Sequence, residues 1–271
     1  MNNYNESSTS HLASVRPVRE WSLGEALLLW FSSVLLVLVV PAIVALPFVF
    51  IGSEAGIGDI SENKMALLAS IAAILPAHLL TLLFAWWLVK RHSPSGFFKT
   101  LGWEWNQVGP GTSVLLTVLF LIGASVIAQF FPPDDNDFLK LLRSSPYAIY
   151  FVSFVAIMTA PLVEEVVYRG ILFPALKKSH GATFSVISVT VLFALVHVPQ
   201  YWPSYSTIGV ILSLSLFLTI VRNISDSLLP CFVIHLIFNS LQVISLLMFP
   251  EQIMGNKSTA VPFYFGILNA N

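Results

Sequence analysis

YAIYFVSFVAIMTAPLVEEVVYRGILFPAL, residues 147–176, reads as a membrane-spanning helix interrupted by charge, with Glu164, Glu165 and Arg169 set among apolar neighbours. About twenty apolar residues cross a hydrocarbon layer as a helix. A charge at the centre of that layer costs about 3 kcal/mol by insertion scales, so ionisable groups there face an interior, find partners and mark a functional site. One stretch therefore points both to a membrane helix and to a site within it.

The rest of the chain agrees. Of 271 residues, 56% are hydrophobic and 10% charged, and the mean hydropathy is +0.81, far from the composition of soluble domains. Hydropathy marks seven spans, at 23–50, 65–89, 111–131, 147–176, 181–198, 205–222 and 228–249. An open sheet would strand backbone N–H and C=O groups in lipid, and the alternating strands of a barrel, each of about ten residues, are absent from the pattern. The expected fold is all-α, a polytopic membrane helix bundle with seven transmembrane helices. The apolar tail AVPFYFGIL (260–268) leaves room for an eighth span or a re-entrant turn.

The polar residues 1–20 read as a loosely attached tail, and 21–271 as a single membrane domain. The apolar run after the tail is far longer than a signal-peptide core and is expected to remain as an anchor. With the N-terminus in the cytoplasm, inner segments hold eight Lys and Arg (Arg16, Arg19, Lys90, Arg91, Lys99, Lys177, Lys178, Arg222) and outer segments four (Lys64, Lys140, Arg143, Lys257). That bias favours a cytoplasmic N-terminus. Cys231 is the sole cysteine, which excludes an intrachain disulfide and a CxxC metal site. Pro41, Pro47 and Pro76 predict kinks in the first two spans. DDNDFLKLLRSSP (134–146) predicts a short interfacial helix capped by its aspartates, and Trp103 and Trp105 read as headgroup anchors.

Glu165 and Arg169 are four apart on the fourth span, acid first, which suits an ion pair on one helix face. Glu164, rotated by about 100°, then lacks a local partner and is the carboxylate free to act as a base. On the fifth span, Phe193 lies one turn below His197; on the seventh, His235 and Asn239 share a face. Each pair alone reads as interhelical glue. Polar groups on three apolar helices have no lipid-facing solution, however, and are expected to converge. At 1.5 Å per residue from the presumed cytoplasmic ends, Glu164 lies about 18 Å deep, His197 about 24 Å and His235 about 10 Å. That mismatch calls for tilts, kinks or misplaced helix ends, with Pro174 and Pro230 as markers of such errors.

EEVVYR (164–169), FALVH (193–197) and HLIFN (235–239) fit EExxxR, FxxxH and HxxxN. In this order the chain resembles the type II CAAX prenyl endopeptidases and their bacterial relatives, the CAAX-protease and bacteriocin-processing (Abi) family of intramembrane proteases. The resemblance covers about 145–245, the expected catalytic core. It implies an intramembrane endopeptidase of a bacterial cell membrane, in which Glu164 activates a water that His197 helps to hold. His235 and Asn239 then stabilise the oxyanion, while Glu165, Arg169 and Phe193 support them.

The implied partners are the lipid bilayer and a peptide or membrane-protein substrate, lipid-modified at its C-terminus in the CAAX branch; no nucleic acid and no cofactor are expected. Two histidines and a glutamate also suit zinc, so a metal-dependent variant would use Glu164, His197 and His235, although no HExxH helix is present. Two further readings compete: a non-enzymatic bacteriocin-immunity or scaffold protein, and a proton-coupled transporter. His78 reads as a packed or interhelically bonded residue. Ser188, Ser213 and Ser215 read as ordinary packing residues, lacking any GxSxG context.

Overall fold

The computed structural model of the protein describes residues 21–51 and 63–248. The polar tail 1–20 and the AVPFYFGIL segment lie outside the described residues. Within them the chain is helical, and seven segments are long and apolar enough to cross a membrane: Leu23–Phe48, Lys64–His92, Pro110–Phe130, Pro146–His180, Ala182–Tyr201, Tyr205–Ser225 and Leu229–Met248. They match the hydropathy reading to within about one turn at each end. The surface is inverted relative to a soluble protein. Leu38, Leu115, Ile122, Phe130 and Leu195 are exposed, while Glu165, Arg169, Ser215 and Thr219 are sealed inside. So extensive an apolar exterior is a lipid-facing one.

Helix α1 (Leu23–Ile51) contains Pro41 and Pro47 without ending at either. It starts on a capping box, in which Glu25 Oε2 accepts from Ser22 N (2.8 Å) and Ser22 Oγ accepts from Glu25 N (3.2 Å). The second span is divided into α2 (Lys64–Ala72) and α3 (Ile74–His92), because Pro76 offers no N–H to the carbonyl of Ala72. A single turn, α4 (Phe97–Thr100), follows. Trp105 is exposed, as a headgroup anchor would be. Trp103 instead packs into the bundle, its ring 4.8 Å from that of Phe232 and 5.1 Å from that of Phe98. After α5 (Pro110–Phe130), the short helix expected from 134–146 forms as α6 (Asp137–Ser144). Its cap is Asn136, which accepts from Leu139 N, and not one of the aspartates.

The fourth span departs most from the sequence reading. It runs as α7 (Pro146–Met158), α8 (Ala160–Glu164), a π-helical stretch Glu165–Leu172, and α9 (Phe173–His180). Thr159, at φ −121° and ψ −39°, marks the first break, two residues before Pro161, whose missing N–H strands a carbonyl of α7. Uniform 100° steps along this span therefore do not hold. Helices α10 (Ala182–Tyr201), α11 (Tyr205–Ser225) and α12 (Leu229–Met248) complete the bundle.

The π-helical stretch lies at the centre of the main core. Val166, Val167, Ile171 and Leu172 pack with Leu29, Leu88, Val189, Phe193 and Leu228. The turn before α12 is also covered by protein. Leu228 N donates to Gly102 O (2.7 Å), and Ser227 Oγ donates to the carbonyls of Gly102 and Glu104. Gly102 has a φ of +77°, and a Cβ there would come within 3.2 Å of Asp226 O, so the close approach requires glycine. Although counting residues from the helix ends puts His235 well above Glu164, the His235 ring contacts both glutamates.

Candidate active site

Arg169 holds the π-helical stretch to its neighbours. Its Nη1 donates to Glu165 Oε1 (3.1 Å), its Nε to Thr219 Oγ1 (3.3 Å), and its Nη2 to the carbonyl and hydroxyl of Ser215 (3.2 and 2.8 Å). The Phe193 ring covers the guanidinium, 4.6 Å from Cζ, in a cation–π arrangement. The carbonyl of Arg169 accepts from Arg222 Nε (3.1 Å). A π-turn shifts the backbone pairing by one residue, and Arg222 takes up this carbonyl. Ser215, Thr219 and Arg222 are thus part of the site's support, which corrects the reading of Ser215 as ordinary packing. Their spacing, four and then three residues, was a visible polar stripe along α11.

Glu165 Oε1 also accepts from His235 Nδ1 (2.9 Å). On the opposite side of the ring, His235 Nε2 stands 3.7 Å from Glu164 Oε2. Glu164 is therefore not without a partner; the two glutamates flank one imidazole. Glu165 is sealed, whereas the Glu164 side chain keeps 21% of its surface exposed.

Asn239 Nδ2 donates to Ala156 O (2.9 Å). The break at Thr159 leaves the last carbonyls of α7 without helical partners, and Asn239 satisfies one of them. Among the described residues its second amide hydrogen and its oxygen make no hydrogen bond. His197 Nδ1 lies 2.7 Å from Phe193 O. A carbonyl can only accept, so the neutral ring carries its proton on Nδ1 and presents a lone pair at Nε2. The ring stacks on Phe193, centroids 4.7 Å apart, as the FxxxH spacing predicts.

A cavity of about 1210 Å³ joins these groups, and Glu164, His197, His235 and Asn239 all line it. Phe193 and Tyr168 form part of its wall, while Asp134, Gln200, Ser206 and Gln242 give it a polar side. The zinc alternative fits the residues poorly: among the described residues, no three His, Cys, Asp or Glu side chains cluster closely enough to share an ion. His78 also lines the cavity, and its Nδ1 is 2.8 Å from Thr159 Oγ1. The expected interhelical bond is present, but at a place that packing alone did not suggest.

Two carboxylates, two imidazoles and an amide thus stand at or beside one cavity inside a bundle of apolar helices, and comparison with known proteins gives two matches. Residues 146–241 match the family model of the Rce1-like proteins, described as type II CAAX prenyl endopeptidase Rce1-like. Across 150 residues the chain is 31% identical to the membrane-embedded CAAX protease MroQ of Staphylococcus aureus (strain USA300), over 51% of this chain and 56% of that protein. The chain thus spans little more than half the length of the curated relative it matches. No solved structure matches.

Proposed function

We propose that the protein is an intramembrane endopeptidase of the CAAX-protease type, in which Glu164 is the general base. One observation carries this reading: four polar motif side chains from three different spans, Glu164, His197, His235 and Asn239, line one cavity. A water beside Glu164 gives a proton to its carboxylate as the water oxygen attacks the scissile carbonyl carbon. His197 Nε2, a lone pair in the neutral ring, accepts the water's other hydrogen and orients it. The tetrahedral oxyanion receives hydrogen bonds from the free Asn239 amide hydrogen and from protonated His235. As the C–N bond breaks, Glu164 returns its proton to the leaving amine. General bases contribute about 10²–10⁴-fold to such reactions, and each oxyanion donor about 10²–10³-fold.

Glu165 orients the His235 ring, and Arg169, itself outside the cavity lining, fixes Glu165. The expected substrate is a peptide or membrane protein whose cleavage site enters the bilayer region, including lipid-modified C-termini as in the CAAX branch. The protein is expected in a bacterial cell membrane. The mechanism uses no metal. The test is cleavage of quenched fluorescent peptides by detergent-purified protein with and without a strong chelator. Activity that survives chelation supports glutamate catalysis, and loss that zinc restores overturns it.

A further inference from the structure

We infer that His78, far outside the 146–241 segment, is a positioning residue for Glu164, acting through Thr159; the inference rests on the proposed hydrolytic function. Thr159 is the N-cap of α8, the short helix that ends at Glu164, yet its hydroxyl caps none of that helix's N–H groups. An N-cap threonine ordinarily accepts from the backbone two or three residues on. Here the oxygen is engaged from another span, by His78 Nδ1 at 2.8 Å, while its weaker contact runs back to Val155 O at 3.4 Å. In the tautomer with its proton on Nδ1, His78 donates to this oxygen and the hydroxyl hydrogen is left for Val155 O.

This bond joins two breaks. His78 follows Pro76 just inside the start of α3, and Thr159 separates α7 from α8. Backbone breaks are where a helix can swing, and α8 is too short to hold its direction alone. Asn239 ties the α7 side of the break through Ala156 O, and His78 ties the α8 side. Both ties bear on the angle at which Glu164 enters the cavity. His78 is 94% buried and lines that same cavity. Its Nε2 has no hydrogen bond among the described residues, so its one hydrogen bond there is to Thr159.

Misplacing a reacting group by about 1 Å can lower a rate roughly 100-fold. The test measures kcat and KM for peptide cleavage by the purified full chain, with Thr159→Val, Thr159→Ser, His78→Ala and His78→Asn. Asparagine puts an amide N–H near the place of Nδ1 but nothing at Nε2. The expected result is a fall of about 10- to 100-fold in kcat with little change in KM for Thr159→Val and His78→Ala. The double variant should be no slower than either single one, and Thr159→Ser and His78→Asn should regain most of the rate.

Retention of kcat within about twofold in both Thr159→Val and His78→Ala, or losses that multiply in the double variant, overturns the inference while leaving Glu164 as the base. A wild-type protein that cleaves no peptide takes the proposed function and this inference together. Should His78→Ala fail to fold, the Thr159→Val and Thr159→Ser pair decides the matter by the same kcat comparison.

Discussion

At the scale of single residues, the site separates one partly buried acid from one sealed acid. Glu165 is held by Arg169 and His235 and reaches no solvent, whereas Glu164 opens onto the cavity. Identical side chains one residue apart thereby meet different surroundings. Glu164→Gln keeps the shape but cannot accept a proton, and should lower kcat by about 10²–10⁴-fold with the protein still folded, as measured by peptide turnover alongside thermal unfolding. Asn239→Ala should cost about 10²–10³-fold in kcat with little change in KM. The motif spacings disclosed these residues because i and i+4 positions on a helix share a face. Which acid faces the cavity also followed from the sequence, through the pairing of Glu165 with Arg169. That Glu164 has His235 beside it did not, because interhelical contacts leave no mark on local spacing.

The elements explain how these side chains stay in place. The π-helical stretch exposes the Arg169 carbonyl to Arg222 and brings Arg169 against Ser215 and Thr219. Arg169→Ala leaves Glu165 as a buried acid without its cation, a loss of about 3–5 kcal/mol for such pairs. It should appear as a much lower unfolding temperature, with activity falling in parallel. Ser215→Ala removes one of two contacts to the same nitrogen and should cost about 1–3 kcal/mol at most, a small shift in the same measurement. The spans themselves were legible because length and apolarity decide them. The interruptions at Thr159 and Glu165 were not: Pro161 hinted at the first, and no residue pattern announces a π-turn whose reward is a contact with α11.

For the whole molecule, an apolar exterior and a sealed polar interior make the bundle a membrane protein with a water-accessible cavity in its midst. The seven apolar spans, read from composition, stand among the described residues, while the cavity required the third dimension. The place of His235 shows why. Counting residues from helix ends assumes straight spans with level ends, and the fourth span is broken at Thr159 and π-helical from Glu165 instead. The Lys and Arg bias predicts that, in a Cys231→Ala background, Ser95→Cys reacts with a membrane-impermeant maleimide only from the cytoplasmic side and Asp135→Cys only from the outer side. Labelling of intact cells against inverted vesicles reads this directly.

The cavity is proposed to hydrolyse a peptide bond with the Glu164 carboxylate as base, and mass spectrometry of peptide products formed in ¹⁸O-labelled water tests that most directly. Wild-type protein should give two fragments with one heavy oxygen in the new carboxyl group, and Glu164→Gln, folded and at equal concentration, should give almost none. Equal product from the glutamine variant would contradict the role assigned to Glu164.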